Sequence, residues 1–401
     1  MSNRVRSLLA GAIGGAAFVS LAAAGQLNAQ PAPAPAPQGQ PGTPFSGARP
    51  DADNQAVIDA LKALNVRPYH TLTPQEARLQ PSFTDGVMAV MRAQGRPTTP
   101  PPGITERVIT AGGVPARVFA PANANGPLPV IVYYHGGGWV IADSRVYAPS
   151  ARALVRDAQA IVVSVDYRRA PEASFPAQHQ DSLAAYRWVL ANARSIGGDP
   201  SRIAIAGESA GGNLAVATAI AARNAGLQMP RHILSVYPIA GSDLNTPSYN
   251  DSANSMPLNR ALMAWFLHHT ARTPTDLTDP RINLVAADFR GLPPTTIVAA
   301  QIDVLRSEGE LLAQRMQAAG VAVERREWAG ATHEFFGADA VIADAREAQA
   351  WAGGRLRAAL HGGAAAAPAT GPAPVPAPLP EPLPAPAEPP LTPPDSSGER
   401  G

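Results

Sequence analysis

The sequence predicts an α/β architecture: a mostly parallel central sheet, doubly wound, with helices on both faces. Two observations predict it. Between residues 108 and 359, short apolar runs alternate with longer stretches of helical period, the pattern of strands joined by crossover helices. Several of the runs are continuously apolar, as strands covered on both faces must be. Length agrees: of 401 residues, 51–360 read as the folded body, and α/β units of roughly 250 to 300 residues are common as single domains.

The ends are different. Arg4 and Arg6 precede an apolar stretch over 8–24 that is rich in Gly and Ala, with candidate cleavage sites at 22–24 and 27–29. This is the layout of a secretory signal peptide, 1–29. An uncleaved anchor is the rival, but the stretch is short and weakly apolar for a span. Twenty of the 43 prolines lie in 31–50 and 368–394. The Pro/Ala-rich segments 30–50 and 361–401 therefore read as a disordered linker and tail, favouring extended polyproline II and burying no core.

The elements follow in order. Residues 52–95 are helical in period. Residues 108–110 and 116–119 flank Gly112-Gly113 and read as a hairpin. Strands are expected at 129–134, 161–165, 202–206, 232–237 and 296–300, with a more polar one at 322–328. Helices are expected at 150–158, 178–193, 213–224, 307–319 and 343–359. The stretch 241–290 interrupts the alternation and holds an amphipathic segment near 258–269; so long a loop without structure is uncommon, so it should carry helices.

Composition excludes several classes. Net charge is +1 with no basic cluster, so no nucleic-acid partner is expected. There is no Cys, which removes disulfides, thiolate metal sites and a thiol nucleophile. The only lysine, Lys62, follows Leu61, so no phosphate loop exists. No metal or cofactor is expected. Export without Cys suits a bacterial periplasm or the medium.

Two motifs carry chemistry. The 202–206 strand runs into Gly207-Glu208-Ser209-Ala210-Gly211 and then a helical run. A Gly-x-Ser-x-Gly between strand and helix puts the serine on a sharp, strained turn with its hydroxyl exposed. The 129–134 strand ends in His135-Gly136-Gly137-Gly138-Trp139. Three glycines after a buried strand are entropically expensive. Exposed N–H groups that can hold a tetrahedral oxyanion, together with that of Ala210, supply a reason.

These two motifs together resemble those of the hormone-sensitive-lipase-like esterases, bacterial family IV of the α/β-hydrolases. Residues 166–172 and 175–177 also resemble the family, with Arg169 where Leu is usual. So do Asp303-Val304-Leu305-Arg306-Ser307-Glu308-Gly309 and His333-Glu334-Phe335. The resemblance covers about 106–360. It implies the α/β-hydrolase fold, a helical cap built from about 51–100 and 241–290 that covers the pocket, and short-to-medium acyl chains. It also implies that His135 orders the oxyanion loop beside Gly136. A homodimer through the last strand and helix, which the family often forms, stays open.

A serine needs a general base, and α/β-hydrolases order their triad as Ser, acid, His. Of the five His after Ser209, His232 has no acid between it and the serine, His268 and His269 lie in the insertion, and His361 opens the tail. His333 follows the last strand in the 330–332 loop. Asp303 directly follows the preceding core strand; Asp288 precedes it. Glu308 and Glu310 read as solvent-facing or helix-capping. Glu208, next to Ser209, should support the serine turn through a hydrogen bond. His333-Glu334-Phe335-Phe336 lacks the final His of a zinc motif, because Gly337 occupies it. Trp139, Tyr147, Met256 and Trp265 are candidate pocket walls; Phe335 and Phe336 are either lining or core.

The expectation is a serine carboxylic ester hydrolase taking a small-molecule ester, with no membrane association once the signal is cleaved. Ser209, His333 and Asp303 form the triad, and the Gly137, Gly138 and Ala210 N–H groups hold the oxyanion. The alternatives are the same triad acting on an acetylated polysaccharide, a carbonate or an amide, or a silent hydrolase fold used for binding.

Overall fold

The computed structural model describes residues 47–252 and 255–362. The expected signal segment 1–29, most of the 30–50 linker and the tail from 363 lie outside the described residues.

Three helices precede the sheet: α1 (Ala52–Ala63), α2 (Pro74–Ala77) and α3 (Phe83–Ala93). β1 (Ile104–Ala111) and β2 (Val114–Pro121) form the hairpin. There follow β3 (Leu128–Tyr134), α4 (Ala148–Ala158), β4 (Ile161–Val165), α5 (Ala177–Asn192), β5 (Gly198–Glu208), α6 (Ala210–Asn224) and β6 (Ile233–Val236). The 241–290 stretch carries α7 (Pro247–Asp251) and α8 (Arg260–Thr270). The chain then builds β7 (Thr295–Ile302), α9 (Arg306–Ala318), β8 (Val323–Thr332) and α10 (Ala343–His361).

The eight strands form one sheet in the order β1-β2-β4-β3-β5-β6-β7-β8. β1, β2 and β4 pair antiparallel; from β4 to β8 every pair is parallel. Register aligns the carboxyl ends: Tyr134 stands opposite Gly207, Glu208 opposite Val236, and Ile302 opposite Thr332. The segments that leave β3, β5, β7 and β8 therefore emerge along one edge, where open α/β sheets bind ligands.

Alternation along the central strands splits the core in two. Val130, Val132, Tyr134, Ile203 and Ile205 face one side; Ile131, Tyr133, Ala204 and Ala206 face the other. Each fully buried Val or Ile contributes roughly 1.5–3 kcal/mol against its exposed state.

The N-terminal helix is tied to the last strand. Asp51 N–H donates to the Gly330 carbonyl at 3.1 Å. Asn54 is fully buried, and its Oδ1 accepts from Thr332 N–H at 3.2 Å and Thr332 Oγ1 at 3.1 Å. Asp51 caps α1 by accepting from Asn54 N–H at 2.8 Å.

Several boundaries differ from expectation. α6 starts at Ala210, directly after the serine, because the turn itself closes the first helical bond from Asn213 N–H to the Ser209 carbonyl. Residues 330–332, expected as loop, finish β8 by pairing with the end of β7 past an irregularity at Ala300/Ile302. His232 lies just before β6, not within it. His361, expected to open the tail, closes α10 instead. Leu356 and Leu360, four residues apart and fully buried, hold that last turn against the body, and His361 Nε2 meets the Ala158 carbonyl at 3.1 Å.

Candidate active site

Ser209 is the hinge between β5 and α6. Its φ of 57° and ψ of −119° are strained for a residue with a side chain. Main-chain bonds hold it there: Ser209 N–H donates to the Val236 carbonyl at 2.9 Å, and its own carbonyl accepts from Ile239 at 3.2 Å. The flanking glycines are required by close approach. A Cβ at Gly211 would lie 1.9 Å from the Tyr134 carbonyl oxygen, and one at Gly207 would lie 2.1 Å from the Gly211 oxygen. Any side chain there would push β3 and α6 apart.

His333 and Asp303 come from the ends of β8 and β7. His333 Nε2 stands 3.0 Å from Ser209 Oγ, and His333 Nδ1 stands 2.7 Å from Asp303 Oδ2. The other Asp303 oxygen accepts from Leu305 N–H at 2.9 Å. All three side chains are buried, at 4 %, 3 % and 1 % exposure for Ser209, His333 and Asp303. An Nδ1–H donated to a carboxylate leaves Nε2 as an acceptor facing the serine hydroxyl. Burial alone would depress the imidazole pKa. The Asp303 charge and hydrogen bond, with Glu334 and Glu208 behind them, outweigh burial and hold it above its ordinary value.

Glu208 is a buried brace. Its carboxylate accepts from the Tyr133 and Tyr237 hydroxyls, each at 2.5 Å. Burial raises its pKa to about 7, against the pull of hydrogen bonds from Ser150, Tyr133 and Tyr237. The Tyr237 ring in turn lies 4.5 Å from the His333 ring, centroid to centroid. Serine, base and brace thus share one packed unit.

Gly137 and Gly138 line the same cavity as Ser209 and His333, and Ala210 is the first residue of α6, where helical N–H groups have no intrahelical partner. A Cβ at Gly138 would fall 2.1 Å from Phe266 Cγ, so α8 rests directly on the glycine loop. His135 orders that loop as much by stacking as by its ring nitrogens. It lies 4.2 Å from the Tyr167 ring at 11°. Its Nδ1 donates to the Gly136 carbonyl at 2.7 Å, while Nε2 has no hydrogen-bond partner among the described residues. Tyr167 closes the arrangement by donating to the His135 carbonyl at 2.8 Å.

The cavity over the serine measures about 80 Å³. Leu258, Leu262 and Phe266 from the insertion line it, as do Tyr69 and Phe83 from the N-terminal segment. Both stretches expected to form a cap therefore reach the site. Of the expected walls, Tyr147 lines it. Trp139 is fully buried in the core, and Trp265 turns its Nε1–H to the Leu72 carbonyl at 3.2 Å, joining the two cap stretches. Phe335 and Phe336 are core, both fully buried.

Glu308, expected to face solvent or cap its helix, is 3 % exposed. Its Oε1 accepts from Ala240 N–H at 2.8 Å, where the insertion leaves β6. Burial raises its pKa to about 8. The passed-over candidates stand elsewhere: His232 Nε2 meets Thr296 Oγ1 at 2.9 Å, and Asp288 pairs with Arg290 at 2.9 Å. Sequence reasoning gave Glu334 no role beyond a failed zinc motif. The structure puts it on the cavity wall with φ 73°, its Oε1 accepting from the Tyr147 hydroxyl at 2.6 Å. That backbone conformation leaves no mark in residue spacing.

Comparison with known proteins agrees with the geometry. A family model described as the alpha/beta hydrolase fold matches residues 131–337. The carboxylesterase NlhH of Mycobacterium tuberculosis is 41% identical over 296 residues, covering 69% of this chain and 91% of that protein. Ethyl acetate hydrolase of Pseudomonas putida is 30% identical over 300 residues, covering 73% and 92%. Among solved structures, a thermostable esterase from Pseudomonas putida superposes with a TM-score of 0.70 at 31% identity, covering 80% of this chain and 99% of that one. The chain belongs to the α/β-hydrolase family, among its hormone-sensitive-lipase-like carboxylesterases.

Proposed function

We propose that the protein hydrolyses short-acyl carboxylic esters through an acyl-enzyme on Ser209. The observation that carries this is the unbroken run from Ser209 Oγ through His333 to Asp303, at 3.0 and 2.7 Å, at the floor of a small cavity. His333 Nε2 takes the serine proton as Oγ attacks the ester carbonyl. The N–H groups of Gly137, Gly138 and Ala210 stabilise the resulting oxyanion. Asp303 fixes the His333 tautomer and stabilises the imidazolium. His333 then gives its proton to the departing alkoxide, which leaves as the alcohol. A water, deprotonated by His333, attacks the acyl-enzyme and releases the acid, and Ser209 Oγ regains its proton.

Cavity size supports short chains: about 80 Å³ is far below the roughly 300–1,000 Å³ of sites for drug-sized ligands. Ethyl acetate hydrolase as a relative supports the same reading. The test is hydrolysis of p-nitrophenyl acetate, butyrate, octanoate and palmitate by residues 30–401 and by its Ser209→Ala variant. Turnover highest on acetate or butyrate, and absent in the variant, is expected. Inactivity of both proteins on all four esters would sink the proposal.

The proposal extends to export and assembly. The Arg4/Arg6 pair, the apolar 8–24 stretch and the lack of Cys support export to a periplasm or the medium; the mass of the mature N-terminus checks this. β8 is an edge strand of the sheet, which supports a homodimer through β8 and α10; sedimentation velocity checks that.

A further inference from the structure

Glu334 pays a conformational penalty that its one visible hydrogen bond does not explain. At φ 73° it holds a side chain in the left-handed region where glycine is favoured. Strain of this kind, kept next to a catalytic base, points to a role for the side chain. Glu334 lines the cavity and is half-buried. Oε1 accepts from Tyr147; among the described residues no hydrogen bond reaches Oε2.

The neighbouring hydroxyl donors are already committed. Thr84 donates to the Val146 carbonyl at 3.0 Å, Tyr69 to the Pro81 carbonyl at 2.9 Å, and Ser82 to Asp85 at 2.7 Å. Ser150 and Tyr133 are bound to Glu208. Across the cavity, Leu258, Leu262 and Phe266 offer only carbon. The cavity therefore has one apolar wall and one wall on which Glu334 Oε2 is a carboxyl oxygen with no hydrogen bond among the described residues. A plain alkyl ester leaves that oxygen desolvated and unpaired, which is costly.

We propose that Glu334 recognises a hydroxyl on the substrate, so that the preferred substrates are short esters carrying an alcohol group near the scissile bond, such as partly acylated polyols. This rests on the esterase reading and narrows its substrate class.

The test uses two matched pairs: glycerol 1-acetate against propyl acetate, and ethyl 3-hydroxybutyrate against ethyl butyrate. The pairs place the hydroxyl on the alcohol half and on the acyl half. The parent is expected to favour the hydroxylated member in at least one pair. Glu334→Gly, which suits the backbone at φ 73°, should lower that kcat/KM ratio about tenfold, and Glu334→Gln should lower it less. Tyr147→Phe keeps the carboxyl and should keep the ratio. No preference in the parent, a ratio retained in Glu334→Gly, or an equal collapse in Tyr147→Phe overturns the proposal; the last would make Glu334 an anchor for Tyr147. Hydrolysis of p-nitrophenyl acetate by the parent but not by Ser209→Ala keeps the esterase reading standing in each of those cases.

Discussion

A serine hydroxyl is a poor nucleophile at neutral pH until a neighbour takes its proton. In the proposed mechanism His333 is that neighbour, and it can take the proton only while its ring is neutral. Asp303, Glu208 and Glu334 all favour the protonated ring, so the acid limb of kcat/KM should lie above the ordinary histidine value of about 6.5. A pH–rate profile on p-nitrophenyl acetate checks this. Asp303→Asn should lower kcat by about 10³–10⁴, because the amide no longer fixes the tautomer; stopped-flow acylation rates would show it. Gly138→Ala tests the glycine loop. The new methyl would strike the Phe266 ring, and a displaced oxyanion donor should cost about 10²–10³ in kcat. Combining it with Phe266→Ala should recover part of that loss. These residues were legible in the sequence because their chemistry needs fixed types in fixed places. Glu334 and Glu308 were not: each is recognised by backbone conformation or burial, which motif spacing does not carry.

Strands and helices were read from period, and period serves best where an element is deep in the molecule. β3, β4 and α6 are continuously buried over most of their length, and their positions follow from composition alone. Ends are decided by contacts. The 330–332 segment reads as a turn because of Gly330, yet partners in β7 and in α1 draw it into the sheet. α10 continues to His361 because Leu360 has a place to bury. The Asn54–Thr332 pair gives a direct check at this scale. Asn54→Ala leaves Thr332 N–H and Oγ1 without their buried acceptor, and should cost about 1–3 kcal/mol of stability by urea unfolding.

For the molecule as a whole, two buried carboxyls contribute a decline in stability as pH rises. Glu208 and Glu308 have folded pKa values of about 7 and 8, raised from 4.5. Between those limits the folded chain holds protons that the unfolded chain has released. Stability from these groups is therefore complete below about 4.5 and is lost as pH rises through 7 to 8, with a slope of up to ~1.4 kcal/mol per pH unit for each group. Glu308→Gln should flatten the part of that decline near pH 8, measured by urea unfolding at pH 5.5, 7 and 8.5. The general architecture was visible in the sequence because a parallel sheet needs alternating elements; the seating of the insertion against α9 through Glu308 was not, since it joins residues 68 apart. The bonds from Asp51 and Asn54 to the end of β8 carry a last consequence, for maturation. Proteolysis from the front that passes Asn54 is expected to free Thr332, the residue before His333, from its buried acceptor, and so to loosen the aim of the base.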